Sequence, residues 1–414
     1  MCPARLAPMN ASQNVILLTI DTLRADVLGC CGGHLGLSPF IDSLAASGMR
    51  YSRAQAAGPY TQASFPGILT SSYYLDHQDH GKGRTLSRER VVISEPLRKA
   101  GVATAAFHSN PYLSAFFGWN RGWDVFYDSM QDQVSDEVPF IQAPAINARV
   151  DRWLGAHAAA GRKPFFLWTH YMDMHEPYVP EQKHVDAVDP GLRLSSQEML
   201  GLFKNTLLPR DVSDPGKVET LRKLYLANLR KIDDCVKEFF DILERHGALE
   251  DSTIIVTSDH GDEFGEHGGL SHDGCMRSEL LHVPLLVLNA PGSPKGVCDR
   301  LAGGADIPPT ILELFGLPAE SRFQGRSLLS PDDEAARGVF SEAMGKRGRQ
   351  KDTDRPVYCY REEDLRVSYL AEEDRWELFD LAADPAEKRN LMDCSPRAGE
   401  MKAGLAPRID RKRT

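Results

Sequence analysis

The sequence predicts an α/β fold, a three-layer αβα sandwich with a mostly parallel sheet, plus a small C-terminal α+β subdomain. Short apolar runs alternate with amphipathic segments along residues 14–288, which is typical of a doubly wound sheet. After about residue 330, short runs of strand-like residues joined by charged turns replace that alternation. A length of 414 residues suits one large domain with a smaller partner. We therefore expect a catalytic domain at residues 12–330, the subdomain at 331–400 and a mobile basic tail at 401–414.

The elements of the large domain follow from their residue patterns. Strands are expected where β-branched or apolar runs indicate burial on both faces, at residues 14–20, 103–107, 165–169, 253–258 and 283–288. Helices are expected at residues 39–47, 92–100, 145–159 and 218–245, and glycines follow several of them. Residues 58–71 predict a loop that enters a helix, and residues 181–215 predict a surface insertion near the site.

In the C-terminal subdomain, the pattern predicts short antiparallel strands joined by charged turns. These strands are expected at residues 357–361, 365–370 and 376–379.

Composition and charge exclude several classes of partner. The formal net charge of −10 disfavours binding to nucleic acid or to anionic lipid. The apolar strand runs are too short to span a bilayer, and residues 1–13 lack the apolar core of a signal peptide, so we expect a cytoplasmic protein without a membrane partner. The eight cysteines lack metal-ligand spacing and are expected to be reduced. The sequence leaves a homo-oligomer open.

Acidic residues close two of the predicted buried strands. Asp21 follows residues 14–20, and Asp259 and His260 follow residues 253–258. The carboxyl ends of strands in open α/β sheets meet where ligands bind, and carboxylates beside an imidazole are metal ligands. We therefore predict one metal ion held between two neighbouring strands. The alternative for Asp21 is a helix N-cap, and Asp26 is expected to be structural.

The segment at residues 58–71 offers a candidate nucleophile. A hydroxyl at a helix N-terminus lies near free N–H groups that suit an anionic ester. Thr61 or Ser64 is therefore a candidate nucleophile that a metal would activate. The alternative is that both hydroxyls only cap the helix.

Further polar residues follow other predicted strands. Asp173 and His175 are candidates to bind a substrate oxygen, to protonate a leaving group or to hold a second metal. His272 lies on a glycine-rich loop and is the preferred substrate contact there, with His267 behind it. Asn110 is a weaker candidate for an oxygen contact, since turn chemistry at Asn-Pro explains it as well.

Short motifs stand at residues 21–26, 173–178, 258–263, 283–285, 306–310, 377–381, 384–385 and 390–391. In this order they resemble the motifs of the sulfatase family of the alkaline phosphatase superfamily, and the likeness covers about residues 14–392. The resemblance implies an alkaline-phosphatase-like fold, with Asp21, Asp259 and His260 binding one or two divalent ions of Mn²⁺, Mg²⁺, Ca²⁺ or Zn²⁺ and Thr61 as a further ligand. Thr22 stands where many sulfatases have a second Asp.

The chain departs from the family at the nucleophile. The register of the motif places the nucleophile on Thr61, whereas sulfatases have Cys or Ser there and convert it to formylglycine. Ala63 and Phe65 replace the Pro and Arg that follow it in sulfatases. A threonine cannot become an aldehyde, because its β-carbon carries a methyl group.

We therefore expect a metal-dependent hydrolase that cleaves a small anionic ester, namely a phosphate diester, a phosphomonoester or a phosphonate. Thr61 would attack the ester, and His175 and His272 would bind its oxygens or protonate the leaving group. Three alternatives remain open. They are a sulfuric ester hydrolase without formylglycine, a phosphotransferase or mutase, and a catalytically silent metal-binding homologue.

Overall fold

A sheet of eight strands forms the middle layer of the large domain in the computed structural model, which describes residues 14–78, 85–135, 137–161, 163–272, 274–330, 337–345 and 355–410. The strands up to residue 303 are β1 (Asn14–Ile20), β2 (Met49–Gln55), β3 (Ala103–His108), β4 (Val125–Tyr127), β5 (Phe165–Tyr171), β6 (Ser252–Ser258), β7 (Glu263–Phe264), β8 (Leu270–Ser271), β9 (Leu285–Leu288) and β10 (Gly296–Gly303). The sheet order is β10-β2-β9-β6-β1-β5-β3-β4, and β7 pairs separately with β8.

Helices cover both faces of this sheet. They are α1 (Pro39–Ser47), α2 (Thr61–Thr70), α3 (Ser94–Lys99), α4 (Ala143–Ala159), α5 (Gln182–Val188), α6 (Ser196–Leu202), α7 (Pro215–Arg245), α8 (Ser278–Leu281), α9 (Ile307–Leu314) and α10 (Ala398–Asp410). Side chains of β1 alternate between two buried clusters. Val15 and Leu17 pack with residues of α2 and α9, whereas Ile16 and Leu18 pack with residues of α1, α4 and α7. The predicted three-layer αβα arrangement is therefore confirmed.

The sheet is mixed but mostly parallel, as predicted. Its pairings are parallel except those of β9, which runs antiparallel to both β2 and β6. Strands β2 and β10 were not predicted. Their sequences carry Arg50, Arg53, Asp299 and Arg300, and only part of each strand is buried, so neither has the apolar run that marks the central strands.

The C-terminal sheet is antiparallel and has the order β11 (Gly338–Met344), β12 (Pro356–Glu362), β13 (Leu365–Leu370) and β14 (Arg375–Asp380). The three strands expected there are confirmed, and β11 is an additional one. This sheet contacts the start of α2, because the hydroxyl of Tyr60 donates to the carbonyl oxygen of Met344 at 3.1 Å and accepts from its N–H at 2.9 Å.

The prediction of a mobile tail is wrong for residues 401–410, because they belong to α10. Met401 and Leu405 are fully buried in the core. Arg408 Nε donates to Glu342 Oε1 at 2.6 Å, and its guanidinium lies 4.2 Å from the ring centroid of Tyr73. Residues 411–414 lie outside the described residues. Domain boundaries at residues 330 and 400 stay a prediction.

The segment at residues 181–215 is more ordered than a loop, since it contains α5 and α6. Its Arg210 donates to the carbonyl oxygens of Leu270 and, at 2.9 Å, of His272, so the segment reaches the loop that carries His272.

The cysteines in the described part of the chain are free thiols. Of the helices described above, none combines the length and the hydropathy needed to cross a membrane.

Candidate active site

Four neighbouring parallel strands, in the order β6-β1-β5-β3, end at one edge of the sheet. Asp259 follows β6, Asp21 follows β1, His175 lies beyond β5, and Asn110 lies beyond β3. This is the edge at which open α/β sheets bind ligands. Thr61 joins the group as the first residue of α2.

Asp21, Asp259 and His260 form a buried cluster whose candidate ligand atoms all lie within 4.8 Å of one another. His260 Nε2 is 3.6 Å from Asp21 Oδ1 and 3.4 Å from Asp259 Oδ2. Both of these carboxylate oxygens are buried and make no hydrogen bond. Unpaired buried carboxylates are costly, and a divalent cation would compensate both. Two carboxylates with one imidazole therefore fit a divalent metal site.

The backbone around these ligands is tightly fixed. His260 Nδ1 donates to the carbonyl oxygen of Gly261 at 2.9 Å, which leaves Nε2 free to bind a metal. Gly261 cannot carry a side chain, because a Cβ there would lie 2.0 Å from the carbonyl oxygen of Glu279. Thr22 has a φ of 56° and donates its N–H to Asp259 Oδ1 at 3.3 Å. A β-branched residue with positive φ is an outlier of the kind that clusters at functional sites.

Burial and neighbouring charges set the protonation of the cluster. Burial and the charge of Asp21 raise the pKa of Asp259 well above its usual range. Burial opposes ionisation of Asp21 as well, but a hydrogen bond from His170 and the nearby imidazoles hold its pKa below the usual range. Burial lowers the pKa of His260 to about 3. His260 is therefore a neutral imidazole, the form that binds a metal.

The hydroxyl of Thr61 lies beside this cluster and is almost fully buried. Its Oγ1 is 3.5 Å from His260 Nε2 and accepts from Asn110 Nδ2 at 3.3 Å. Asn110 Nδ2 also donates to Asp21 Oδ2 at 2.8 Å, so the amide links the nucleophile candidate to a ligand candidate. Ser64 Oγ instead donates to the carbonyl oxygen of Asp259 at 2.6 Å. These contacts favour Thr61 over Ser64 as the residue that faces a substrate.

Two further imidazoles lie next to His260. The ring centroid of His272 is 4.6 Å from that of His260 and 5.0 Å from that of His175. His272 Nδ1 is 2.7 Å from Asp262 Oδ1, and His175 Nδ1 donates to the carbonyl oxygen of Glu176 at 2.7 Å. Burial lowers the pKa of His272, but Glu176 and Asp262 outweigh it and raise this pKa to about 9. The structure therefore brings both predicted histidines beside His260, with each Nδ1 engaged by an oxygen of the protein.

Comparisons with known proteins show the family to which the chain belongs. A family model described as Sulfatase matches residues 13–317, which is well over half of the chain. The chain belongs to the sulfatase family. A second model, described as N-sulphoglucosamine sulphohydrolase, C-terminal, matches residues 265–414. Members of this family are hydrolases that act on ester bonds, and this chain is one of them.

Relatives within and around this family differ in their named activities. An arylsulfatase of Clostridium perfringens is 22% identical over 445 residues, which cover 92% of this chain and 90% of the relative. The structure of a phosphonate monoester hydrolase of Agrobacterium radiobacter superposes with a TM-score of 0.76 at 19% identity, covering 97% of this chain and 95% of that one. A structure in complex with its substrate D-glucosamine-2-N,6-O-disulfate gives a TM-score of 0.78 at 19% identity, covering 97% of both chains.

Two candidate residues make contacts that differ from those expected. His267 was expected behind His272, but its Nε2 is 3.5 Å from Glu279 Oε2, in a separate cluster with Glu387.

Asp173 is fully buried. Its Oδ2 accepts from the N–H of Ala143 at 2.8 Å, and its Oδ1 pairs with Lys231 Nζ at 2.7 Å. Because these contacts occupy both carboxylate oxygens, they favour a role in joining α4 to α7. Asp26 pairs with Arg24 at 2.7 Å, consistent with the structural role expected of it.

Replacing Asp173 with alanine tests its assignment. We expect the free energy of unfolding to fall by about 3 kcal/mol, because Lys231 would remain as an uncompensated, largely buried charge. The melting temperature measures that loss, and activity per folded molecule should be retained. Loss of activity with an unchanged melting temperature would instead restore the predicted substrate contact.

Sequence reasoning missed three polar residues of the site. His170 lies inside β5, fully buried, with Nε2 3.3 Å from Asp21 Oδ2. Glu176 and Asp262 flank His272, at 3.7 Å and 2.7 Å from its Nδ1. A histidine within an otherwise apolar strand was the available signal for His170. Carboxylates next to candidate histidines were the signal for the other two.

Proposed function

We propose that the chain hydrolyses phosphate diesters, phosphomonoesters or phosphonates, and that Thr61 is the nucleophile. The observation that carries this proposal is the position of the Thr61 hydroxyl, at the start of α2 beside Asn110 and His260. A helix N-terminus and a cluster of metal ligands both favour an anionic ester at this point.

The chemistry of threonine favours phosphorus over sulfur. Oxidation of a threonine side chain would give a ketone, so Thr61 cannot supply the aldehyde hydrate on which formylglycine sulfatases depend. A plain hydroxyl acts instead by direct displacement. The Thr61 Oγ1–phosphorus bond forms as the bond to the leaving oxygen breaks, and the hydroxyl proton passes to that oxygen or to an imidazole. Attack of water on phosphorus then breaks the Oγ1–phosphorus bond and restores the hydroxyl, which releases phosphate from a monoester, a phosphomonoester from a diester or a phosphonate from its ester.

The residues around Thr61 have distinct roles in this scheme. When bound by Asp21, Asp259 and His260, a divalent ion would supply positive charge that stabilises the ester oxygens and favours the ionised hydroxyl. Asn110 orients the hydroxyl through its amide. His272 and His175 contact the ester oxygens or donate a proton to the leaving oxygen through Nε2, while Asp262 and the carbonyl of Glu176 fix their rings.

A sulfuric ester hydrolase without formylglycine is the second candidate. It is favoured by the match of both parts of the chain to sulfatase models. The imidazoles and a divalent ion would also stabilise the transition state of sulfuryl transfer, so weak sulfatase activity is expected as a side reaction. A phosphomonoester dianion carries one more negative charge than a sulfate monoester, and a cation stabilises that charge more strongly, whereas phosphodiesters and phosphonate monoesters carry the same single charge as the sulfate.

A panel of p-nitrophenyl esters separates the two candidates. We expect a phosphodiester, a phosphonate or a phosphomonoester to turn over with a kcat/KM about tenfold or more above that of p-nitrophenyl sulfate, a difference of ~1.4 kcal/mol in the barrier. The assay uses purified protein with Mn²⁺, Mg²⁺, Ca²⁺ or Zn²⁺ added separately, and p-nitrophenol release is followed for each ester.

The Thr61→Ala variant supplies the background for each ester in this panel. A clear preference for the sulfate ester would overturn the proposal and favour sulfate-ester hydrolysis. Transfer of the phosphoryl group to an added alcohol rather than to water would indicate a phosphotransferase.

A further inference from the structure

Exposed apolar side chains lie on the loops that follow β3 and β4, at the same edge of the sheet as the site. Tyr112, Phe116 and Met130 are 50%, 70% and 62% exposed, and we call these three residues the apolar rim. Exposed apolar surface next to a catalytic site indicates a binding surface.

The first link between the rim and the reaction centre is Asn110. Its Nδ2 donates to Asp21 and to Thr61, and its Oδ1 accepts from the N–H of Tyr112 at 2.9 Å. One amide side chain therefore fixes both the candidate nucleophile and the first residue of the rim. The ring of Phe117 continues the surface, with its centroid 6.3 Å from that of Tyr112 and 5.0 Å from that of Phe116.

The second link is Asp128, a buried carboxylate that ties the two loops together. It accepts from the N–H of Ala115 at 2.9 Å and from the N–H of Met130 at 3.1 Å. Asp128 therefore fixes the backbone of Met130 and that of Ala115, the residue before Phe116. Residues 109–120 contain no Asp, Glu, Lys or Arg, so this stretch offers no charge to a polyanionic substrate.

We propose that the apolar rim binds the organic group of the ester substrate, and that this group is aromatic or alkyl. The inference rests on ester hydrolysis at Thr61, as proposed above. An ester seated among the buried Thr61 and the half-buried His175 and His272 has space for its organic group only on the open side of the site, toward the loops that carry the histidines and Asn110. The loop beyond Asn110 leads from the site to the rim within two residues, and aromatic faces bind apolar and aromatic groups.

A second copy of the chain is a weaker occupant for this surface. The three side chains of the rim together expose roughly 300–400 Å² of surface, which is at most about half of the ~800 Å² that each partner buries in a stable dimer. The direct connection to Asn110 favours a small molecule that also occupies the site.

The test compares 4-methylphenyl with 4-butylphenyl esters, each prepared as a phosphate and as a sulfate. The two phenols have nearly equal acidity, so the esters differ in apolar size and not in chemical reactivity. We expect the protein to favour the butyl ester by about tenfold in kcat/KM, mainly through a lower KM, because additional methylene groups are buried. The double variant Phe116→Ser, Met130→Ser should lose most of that ratio.

Val297→Ser is the matched control, because Val297 is 50% exposed on β10, well away from the loops of the rim. It should keep the ratio of the unaltered protein. A butyl preference on the sulfate esters alone would refute phosphorus chemistry and still support the rim. Equal kcat/KM for both sizes would refute the rim.

Calorimetry with 4-methylphenyl- and 4-butylphenylphosphonic acid, which contain no ester bond to hydrolyse, measures the corresponding ratio of affinities without turnover. Equal affinities would again contradict the proposal. If the double variant changed the sedimentation coefficient and left the ratio unchanged, the rim would be a contact between copies and the proposal would be wrong.

Discussion

Replacement of Thr61 with alanine should lower kcat by on the order of 10³-fold or more. The substitution removes the hydroxyl that lies 3.5 Å from His260 Nε2 and 3.3 Å from Asn110 Nδ2, and with it the covalent route. Thr61→Ser should retain a measurable part of the activity, since it keeps the hydroxyl. Steady-state rates on the best p-nitrophenyl ester give the comparison.

Thr70→Ala is a matched control for this variant, because Thr70 lies on the same helix and donates to the carbonyl oxygen of Pro66 at 2.6 Å. It should keep the catalytic rate apart from any loss of stability. If Ser64→Ala were inactive while Thr61→Ala remained active, the nucleophile would have been placed one helical turn too early. A phosphoryl group trapped on the peptide that contains residue 61, detected by mass spectrometry, would support Thr61 directly.

Replacement of Asp259 with alanine or asparagine should abolish activity and lower the content of divalent metal to less than about a tenth. Asp259 Oδ2 is one of the two buried oxygens without a hydrogen bond, 3.4 Å from His260 Nε2. Asparagine keeps the side-chain shape and the acceptor for the N–H groups of Thr22 and His260. The fold should therefore survive, and circular dichroism would verify it.

Measuring the metal content of each Asp259 variant after dialysis against each ion distinguishes a loss of metal binding from a loss of catalysis alone. Asp173→Ala serves as the control, since it removes a buried carboxylate that lies outside the cluster and should keep the metal. Full metal occupancy in a folded Asp259 variant would remove this residue from the set of ligands.

The part of the site that could be predicted is the part that follows strand ends. Asp21 and Asp259 each follow a nearly continuous apolar run, so their meeting at one edge follows from the parallel sheet. His272 was chosen from the loop beyond Asp259, and the structure does place it beside His260. The roles of all these residues in catalysis stay predictions.

Other contacts were hidden because they depend on pairs that are distant in sequence. Asp173 has a strand-end position like that of Asp21, yet Lys231 and the N-terminus of α4 occupy its carboxylate. The basic composition of residues 401–414 suggested a mobile tail. The contact that fixes Arg408 is with Glu342, 66 residues earlier in the chain, and no local pattern reveals it. Strands β10 and β2 are the two outermost strands at one end of the sheet, and both contain polar residues. Their sequences therefore lack the continuous apolar run that predicts a buried strand.

The position of β1 in the middle of the sheet has a consequence for synthesis on the ribosome. Val15 pairs with Phe166 on one side and with Thr253 on the other, so β1 leaves the ribosome long before either of its partner strands, β5 and β6. A nascent chain that ends before residue 252 holds an apolar strand without its second neighbour, β6, and lacks two of the three candidate ligands. Such a strand is exposed to pairing with other chains during translation. Protection of β1 until β5 has been made is therefore a requirement that the topology imposes on the cell.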